Sequence, residues 1–320
     1  MNSNPFIDKA KEYAKQEAII NKRKWLCMCP NCNKVAINSH LLQRNGILNH
    51  ITCDGHLYEV RLEDFFKWEK NNPVTFRKVG IMQAISFPLF CSDHDTNIFK
   101  RIEGGKIDFD DYIGQLLFSY RALCAEIYKK QCNLIRQEIW SVDIIKQKSI
   151  EGTDRALNDL KYYKYLFESE IKHPQKKFTF YHHSYPFIGI CASGTCSYEP
   201  VDYNSSYSID SVNNKKVWDG FFINIIPQKE SLEILLGFHN NHVNREMRNY
   251  VESWKGLSFV NLQKKLTDLF CVRLETWSMS PDVYKSLSEE KKRWFIEKQK
   301  MAMLDLYYDI RNEITGNLFE

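Results

Sequence analysis

No run of eighteen apolar residues occurs anywhere in this 320-residue chain, so no membrane-spanning helix and no membrane partner are expected. There is no internal repeat and no low-complexity tract, which argues against a solenoid or a disordered linker protein. Charge of one sign is scarce: 44 Lys and Arg oppose 40 Asp and Glu, a net +4, which is a weak footprint for a polyanion-binding protein. A signal peptide is also missing from Met1 to Lys24. Apolar Phe6, Ile7, Tyr13, Ala18 and Ile19 are interleaved there with charged Asp8, Lys9, Lys11, Glu12, Lys15 and Glu17, the pattern of an amphipathic helix. The expected location is therefore the cytosol.

What is present is a globular composition with 43% hydrophobic residues, enough for two domains or for one large domain with an appendage. Ten cysteines in a reducing compartment read as thiols or metal ligands and not as disulfides. Five of them fall within the first 100 residues, and the same region is basic. Through Gly104 there are 15 Lys and Arg against 11 Asp and Glu, leaving 29 of each beyond it. The whole basic excess thus accompanies the cysteines.

The chain divides into three expected domains. Residues 1–104 hold a helix to Lys24 and then the Cys/His-rich region, which Gly104-Gly105 closes. Residues 105–173 form a helical hairpin. One helix is expected from Asp108 to about Lys148, with Tyr112, Ile113, Leu116, Leu117, Tyr120, Leu123 and Ile127 on its apolar face. A second runs from Asp154 to Ile171 with Thr153 as N-cap, and His173-Pro174 ends it. Residues 174–320 change to strand-like runs at Phe178–Tyr185, Phe187–Tyr198, Phe221–Pro227, Leu232–Phe238 and Cys271–Trp277, with a helix at Asn244–Phe270 and more helix from Pro281. The polar stretch Tyr203–Lys216 reads as a loop. The expected fold class is α+β: an N-terminal treble-clef-like zinc domain, a long helical hairpin, and a C-terminal mixed domain with an antiparallel sheet.

Cys29-Pro30-Asn31-Cys32 carries the chemistry. A Cys-x2-Cys turn shaped by proline lets two thiolates and neighbouring N–H groups converge on one zinc ion, and a closed structural site needs four ligands. Two pairs compete for the remaining places. Cys91 and His94 precede a helical pattern, so both would project from a first helical turn, whose dipole favours thiolate. Cys53 and His56 flank an Asp-Gly turn between strand-like Ile47–Thr52 and Leu57–Val60, as a second ribbon knuckle would. The helix pair is favoured, because knuckle, hairpin and helix then follow in treble-clef order.

Other sites read as structural. Cys27 suits packing or a spare thiol, and Cys124, Cys132 and Cys271 suit burial as small hydrophobes. Cys191 and Cys196 beside His182 and His183 are an outside candidate for a nucleophile pair. His239-Asn240-Asn241-His242 suits a polar turn ahead of a helix, and Glu275 a buried carboxylate. Lys22, Arg23, Lys24, Lys34 and Arg44 surround the knuckle in sequence and could grip DNA or RNA phosphates, or simply be solvated.

Cys29-x2-Cys32, Asn38-Ser39-His40 after strand-like Val35-Ala36-Ile37, and Phe90-Cys91-x2-His94-Asp95 opening a helix together resemble the core of the zinc-stabilised His-Me finger, or HNH, nuclease group. The resemblance implies a metal-dependent endonuclease, with His40 as general base and Asp95 holding a catalytic Mg²⁺ or Mn²⁺ beside the structural Zn²⁺. Ser39 stands where that group usually has an acidic residue, leaving Asp95, with Asn97 or Glu103, to hold the catalytic ion. Ala36–His40, Phe90–Asp95 and Gln115-x4-Tyr120-Arg121-Ala122-Leu123-Cys124 also resemble a group of uncharacterised bacterial proteins, some found near anti-phage defence genes. Two functions are therefore expected: a nucleic-acid-acting effector of defence, or a non-catalytic zinc module that binds a protein partner or forms a homo-oligomer through the helical hairpin.

Overall fold

The computed structural model describes residues 5–63, 72–137, 144–197, 207–210, 215–304 and 314–320. Among them are eight α-helices and three sheets whose strand pairs are all antiparallel. Helix α1 (Pro5–Lys22) leads into two extended arms around Leu26 and Val35, followed by β1 (Ile37–His40), β2 (His56–Leu62), β3 (Val74–Gly80), β4 (Ser86–Phe90) and α2 (Ser92–Glu103). Helices α3 (Tyr112–Gln137) and α4 (Ile144–Lys172) come next. The rest comprises β5 (Phe178–Pro186), β6 (Ile190–Ser197), β7 (Tyr207–Asp210), β8 (Lys215–Trp218), β9 (Gly220–Pro227), β10 (Ser231–His239), α5 (Arg245–Glu252), α6 (Phe259–Asp268), β11 (Trp277–Met279), α7 (Pro281–Ser286) and α8 (Glu289–Leu304).

One seven-stranded sheet, in the order β3-β2-β11-β6-β9-β10-β5, organises the molecule. It crosses the boundary expected between the cysteine-rich segment and the C-terminal region, because β2 and β3 join it through the Met279 and Tyr58 pairing. Both faces are covered. Phe222, Ile226, Leu235 and Cys191 pack toward α3 and α4, while Phe221, Ile223, Ile225, Leu232, Ile234, Leu236 and Phe238 pack toward α5 and α6 and the helices after them. Burial on two faces explains the composition of β9, apolar except for the buried Asn224 and with no polar residue facing water. Between β6 and β9, Ser193 Oγ donates to Asn224 Oδ1 at 2.7 Å.

Helices α3 and α4 form the expected antiparallel hairpin. Tyr112 Oη donates to Glu170 and Tyr120 Oη to Glu168, each at 2.7 Å, while at the other end Gln137 Nε2 donates to Thr153 Oγ1. Several expectations are corrected. Thr153 lies inside α4, which starts nine residues earlier at Ile144, so it caps nothing. The strand expected at Ile47–Thr52 is a 3₁₀ turn at Leu48–His50, which buries Leu48 and Ile51. Asp54 and Gly55 do make a tight turn, with φ of 51° and 70°, but only Cys53 and His56 pair across it, and β2 takes β3 as its partner. Helix Asn244–Phe270 is broken where Gly256 adopts φ of 65°. Leu269–Arg273 is a π-helical turn, and only Trp277–Met279 is strand. Glu275 is exposed and sits 3.5 Å from Lys129. Within the expected loop Tyr203–Lys216, residues 203–206 and 211–214 lie outside the described residues, and Tyr207–Asp210 pairs with Lys215–Trp218.

Glu59 on β2 ties the sheet to the cysteine-rich segment. Its buried carboxylate accepts the Ile85 N–H and the Ser278 hydroxyl, each at 2.8 Å, and the Ile85 carbonyl in turn accepts the Leu41 N–H. Strand β1 then pairs with β4, from Ile37 opposite Phe90 to His40 opposite Ser86. This pairing brings residues fifty apart in sequence to the site.

Candidate metal centre

The arm Trp25–Cys27 is extended and lies against Lys34–Ala36. Cys27 N–H donates to the Lys34 carbonyl and Ala36 N–H to the Trp25 carbonyl, both at 2.9 Å. Extended backbone alternates its side chains, so Trp25 and Cys27 turn inward while Leu26 stays 54% exposed. The arms are joined by a β-turn at Cys29–Cys32, in which Cys32 N–H donates to the Cys29 carbonyl at 3.2 Å. Pro30 occupies the second position and Asn31, with φ of 59°, the third, the composition that a type II turn requires. Met28 N–H donates to the Leu89 carbonyl at 2.8 Å and pins the knuckle to β4. Cys91 follows β4 and is the N-cap residue of α2.

Cys27, Cys32, Cys91 and His94 converge, their ligand atoms all lying within 4.8 Å of one another. The individual separations are 3.4 Å from Cys27 Sγ to His94 Nδ1, 3.3 Å from Cys91 Sγ to the same nitrogen, and 4.0 Å from Cys32 Sγ to Cys91 Sγ. Zinc bond lengths of ~2.3 Å to sulfur and ~2.0–2.1 Å to nitrogen, set tetrahedrally, give edges of roughly 3.8 Å between sulfurs and roughly 3.6 Å from sulfur to nitrogen. The cluster has the donor set and spacing of a closed structural zinc site. The surroundings favour thiolate at Cys91, where the His94 N–H, and then that of Asp93, hold the thiol below its ordinary value at the positive end of α2. Burial pushes the Cys27 thiol up to about 11, against N–H groups of Cys91 and Cys29 that draw it down.

The sequence placed Cys29 where the structure places Cys27. The favoured partners Cys91 and His94 are both in the cluster, and so is Cys32. Cys29 is not one of the four, and its half-buried thiol lies near Glu168 and Lys164 of α4, with burial the main influence raising it. The effective ligand spacing is Cys-x4-Cys, because the inward-facing position of the first arm is Cys27 and Cys29 belongs to the turn beyond it. The strand-like alternation of Trp25 and Cys27 was the available signal. The rival pair makes no metal group among the described residues: His56 Nδ1 contacts the Asp54 carbonyl at 2.6 Å, within its own turn.

His40 ends β1 half-buried, with Nε2 2.8 Å from the Ile81 carbonyl. Burial holds its imidazole below the ordinary range, with Arg44 and Arg121 adding to the effect and Asp95 opposing it. Asp95 does not stand open. It lies 3.3 Å from Arg121 Nη2, while Glu103 lies 2.6 Å from Nη1. Arg121 is 1% exposed, with its guanidinium 3.8 Å above the Phe99 ring. A cation already occupies both carboxylates. In the sequence Arg121 stood only as part of a motif and without a role, although an arginine in the middle of an apolar helix face must find buried partners.

The cations around the knuckle have separate contacts. Lys34 pairs with Asp93 at 2.5 Å, Arg44 contacts Asn45 and Met82, and Arg23 lies 4.6 Å over the Trp25 ring. Lys22 and Arg23 line a shallow cleft with Ala18 and Ile19, and Lys24 is exposed. The Cys191 and Cys196 thiols are buried and pushed up by desolvation, that of Cys196 to about 12. His182 is committed to Glu233 at 2.7 Å, and both His182 and His183 lie on β5, separated by β9 and β10 from the cysteines of β6, so no nucleophile pair forms among the described residues. Asn244, just past the polar turn at 239–242, caps α5 by accepting the Met247 N–H. No described helix is long and apolar enough to cross a membrane. Comparison with protein-family models, with curated proteins and with solved structures finds no match to this chain.

Proposed function

We propose that the chain is a non-catalytic, zinc-braced binding protein. In this reading the zinc ion locks a treble-clef-like unit, made of knuckle, strand pair and helix start, onto the helical hairpin and the large sheet. The observation that carries it is the buried Arg121, which satisfies Asp95 and Glu103 and leaves no open pair of carboxylates for a second, catalytic metal. The partner surface is the knuckle face. Leu26, Val35 and Ile37 are 54%, 51% and 44% exposed, and Leu26 and Val35 pair across the arms, so aliphatic side chains stand together where a soluble surface gains nothing from them.

A hydrolytic reading has one observation in its favour: His40 lies close enough to Asp95 to feel its charge. In that reading His40 takes a proton from water and Asp95 holds Mg²⁺ or Mn²⁺, with DNA or RNA as substrate. One set of experiments separates the two. Plasmid and RNA are incubated with wild type and His40→Ala in Mg²⁺ or Mn²⁺, alongside a gel shift at low salt. Binding without cleavage of any nucleic acid, or no interaction at all, agrees with the first reading. Cleavage that disappears in His40→Ala overturns it.

A further inference from the structure

We infer that Cys29 and Cys32 form a reversible disulfide under hydroperoxide and thereby eject the zinc ion, which makes the knuckle a redox-sensitive latch. The inference rests on the zinc reading of the Cys27, Cys32, Cys91 and His94 cluster and deepens it.

Three thiols and one imidazole make up a four-ligand site, and a fourth thiol, Cys29, lies just outside it. Cys29 and Cys32 are the first and last residues of a β-turn closed by a 3.2 Å hydrogen bond. Such turns bring their end Cα atoms within about 7 Å, a limit that largely overlaps the span of roughly 4.4–6.8 Å that a disulfide bridges. Both thiols are partly exposed, whereas Cys27 and Cys91 are buried, so an oxidant in solvent reaches this pair first. Cys32 is a cluster ligand and Cys29 is not. Joining them therefore removes one ligand from the metal without breaking the hydrogen bonds of the two arms.

The step balances. The Cys32 thiolate attacks one oxygen of hydrogen peroxide, the O–O bond breaks, and hydroxide leaves, giving a sulfenic acid. The Cys29 sulfur then attacks the Cys32 sulfur, the S–O bond breaks, and the departing oxygen leaves with the Cys29 proton as water. Two sulfurs have lost two electrons in total, and the peroxide has gained them. Zinc keeps Cys27, Cys91 and His94 only, and a three-ligand structural site is open to water and to exchange. A thiol reductant reverses the bond and restores the site.

The test begins by measuring zinc in the reduced, full-length protein, where a chain that binds none would fail the zinc reading itself. Zinc-loaded wild type and Cys29→Ser are then treated with hydrogen peroxide in the presence of a chromophoric zinc indicator, and tryptic peptides are mapped without reduction. The expected result is loss of the zinc from wild type with a Cys29 to Cys32 cross-link, recovery on adding dithiothreitol, and retention of zinc by Cys29→Ser. Equal release from both proteins, or release from wild type with the cross-link at Cys27, overturns the inference while leaving the zinc reading intact. If Cys29→Ser does not fold, the peptide map of wild type alone decides.

Discussion

Replacing Cys27 by serine and, separately, Cys29 by serine distinguishes the ligand set that the fold assembles from the one that a Cys-x2-Cys motif suggests. Cys27 Sγ lies 3.4 Å from the His94 nitrogen inside the cluster, while Cys29 belongs to the turn outside it. Binding of zinc to a structural site releases roughly 10–16 kcal/mol. If four ligands share this about equally, loss of one costs ~3–4 kcal/mol, which is roughly a 100- to 1000-fold weaker site. Under reducing conditions Cys27→Ser should lose affinity by about that factor, and Cys29→Ser by less than about tenfold. Competition against a chelator of known affinity reads both numbers, and elemental analysis of the purified proteins checks the stoichiometry. Equal losses in the two variants, or a larger loss in Cys29→Ser, would refute the assignment of Cys27 and with it the argument from alternation along the first arm.

Stripping the zinc should lower thermal stability. For a site held at about a thousandfold above its dissociation constant the metal contributes ~4 kcal/mol, which for a chain of this size is a fall of roughly 6 °C in Tm by calorimetry; an unchanged Tm would mean that the cluster does not brace the fold. Arg121→Ala leaves Asp95 and Glu103 facing each other beside the Phe99 ring. Because their side chains keep 19% and 28% exposure, the cost should sit near the low end of the ~3–5 kcal/mol for a broken buried pair, measured by urea unfolding. His182 is held above its ordinary range, chiefly by its hydrogen bond to Glu233 and against burial, with Asp110 adding to the rise. A raised folded value stabilises fully below about 6.5 and fades as pH climbs through the folded value. His182→Gln should therefore lose more stability at pH 5.5 than at pH 8.5, and an equal loss at both would show that the charge plays no part.

The sequence by itself determined the local events. Helical spacing of apolar residues marked α1 and α3, the proline marked the turn at Cys29–Cys32, and strand-like runs rich in apolar residues marked β9 and β10, because each depends on side chains near one another in the chain. It also supplied three of the four cluster members, Cys32, Cys91 and His94, since their spacing to a turn or a helix start is itself local. Tertiary structure decided the rest. Cys27 enters the cluster only because the arm around Leu26 pairs with the arm around Val35, and β2 faces β11 only because Glu59 finds Ser278, which lies 219 residues away. Arg121 closes over Asp95 and Glu103 only once α2 packs against α3. Pairings of this kind are set by which buried polar groups can satisfy one another across the fold, and no window of neighbouring residues carries that information.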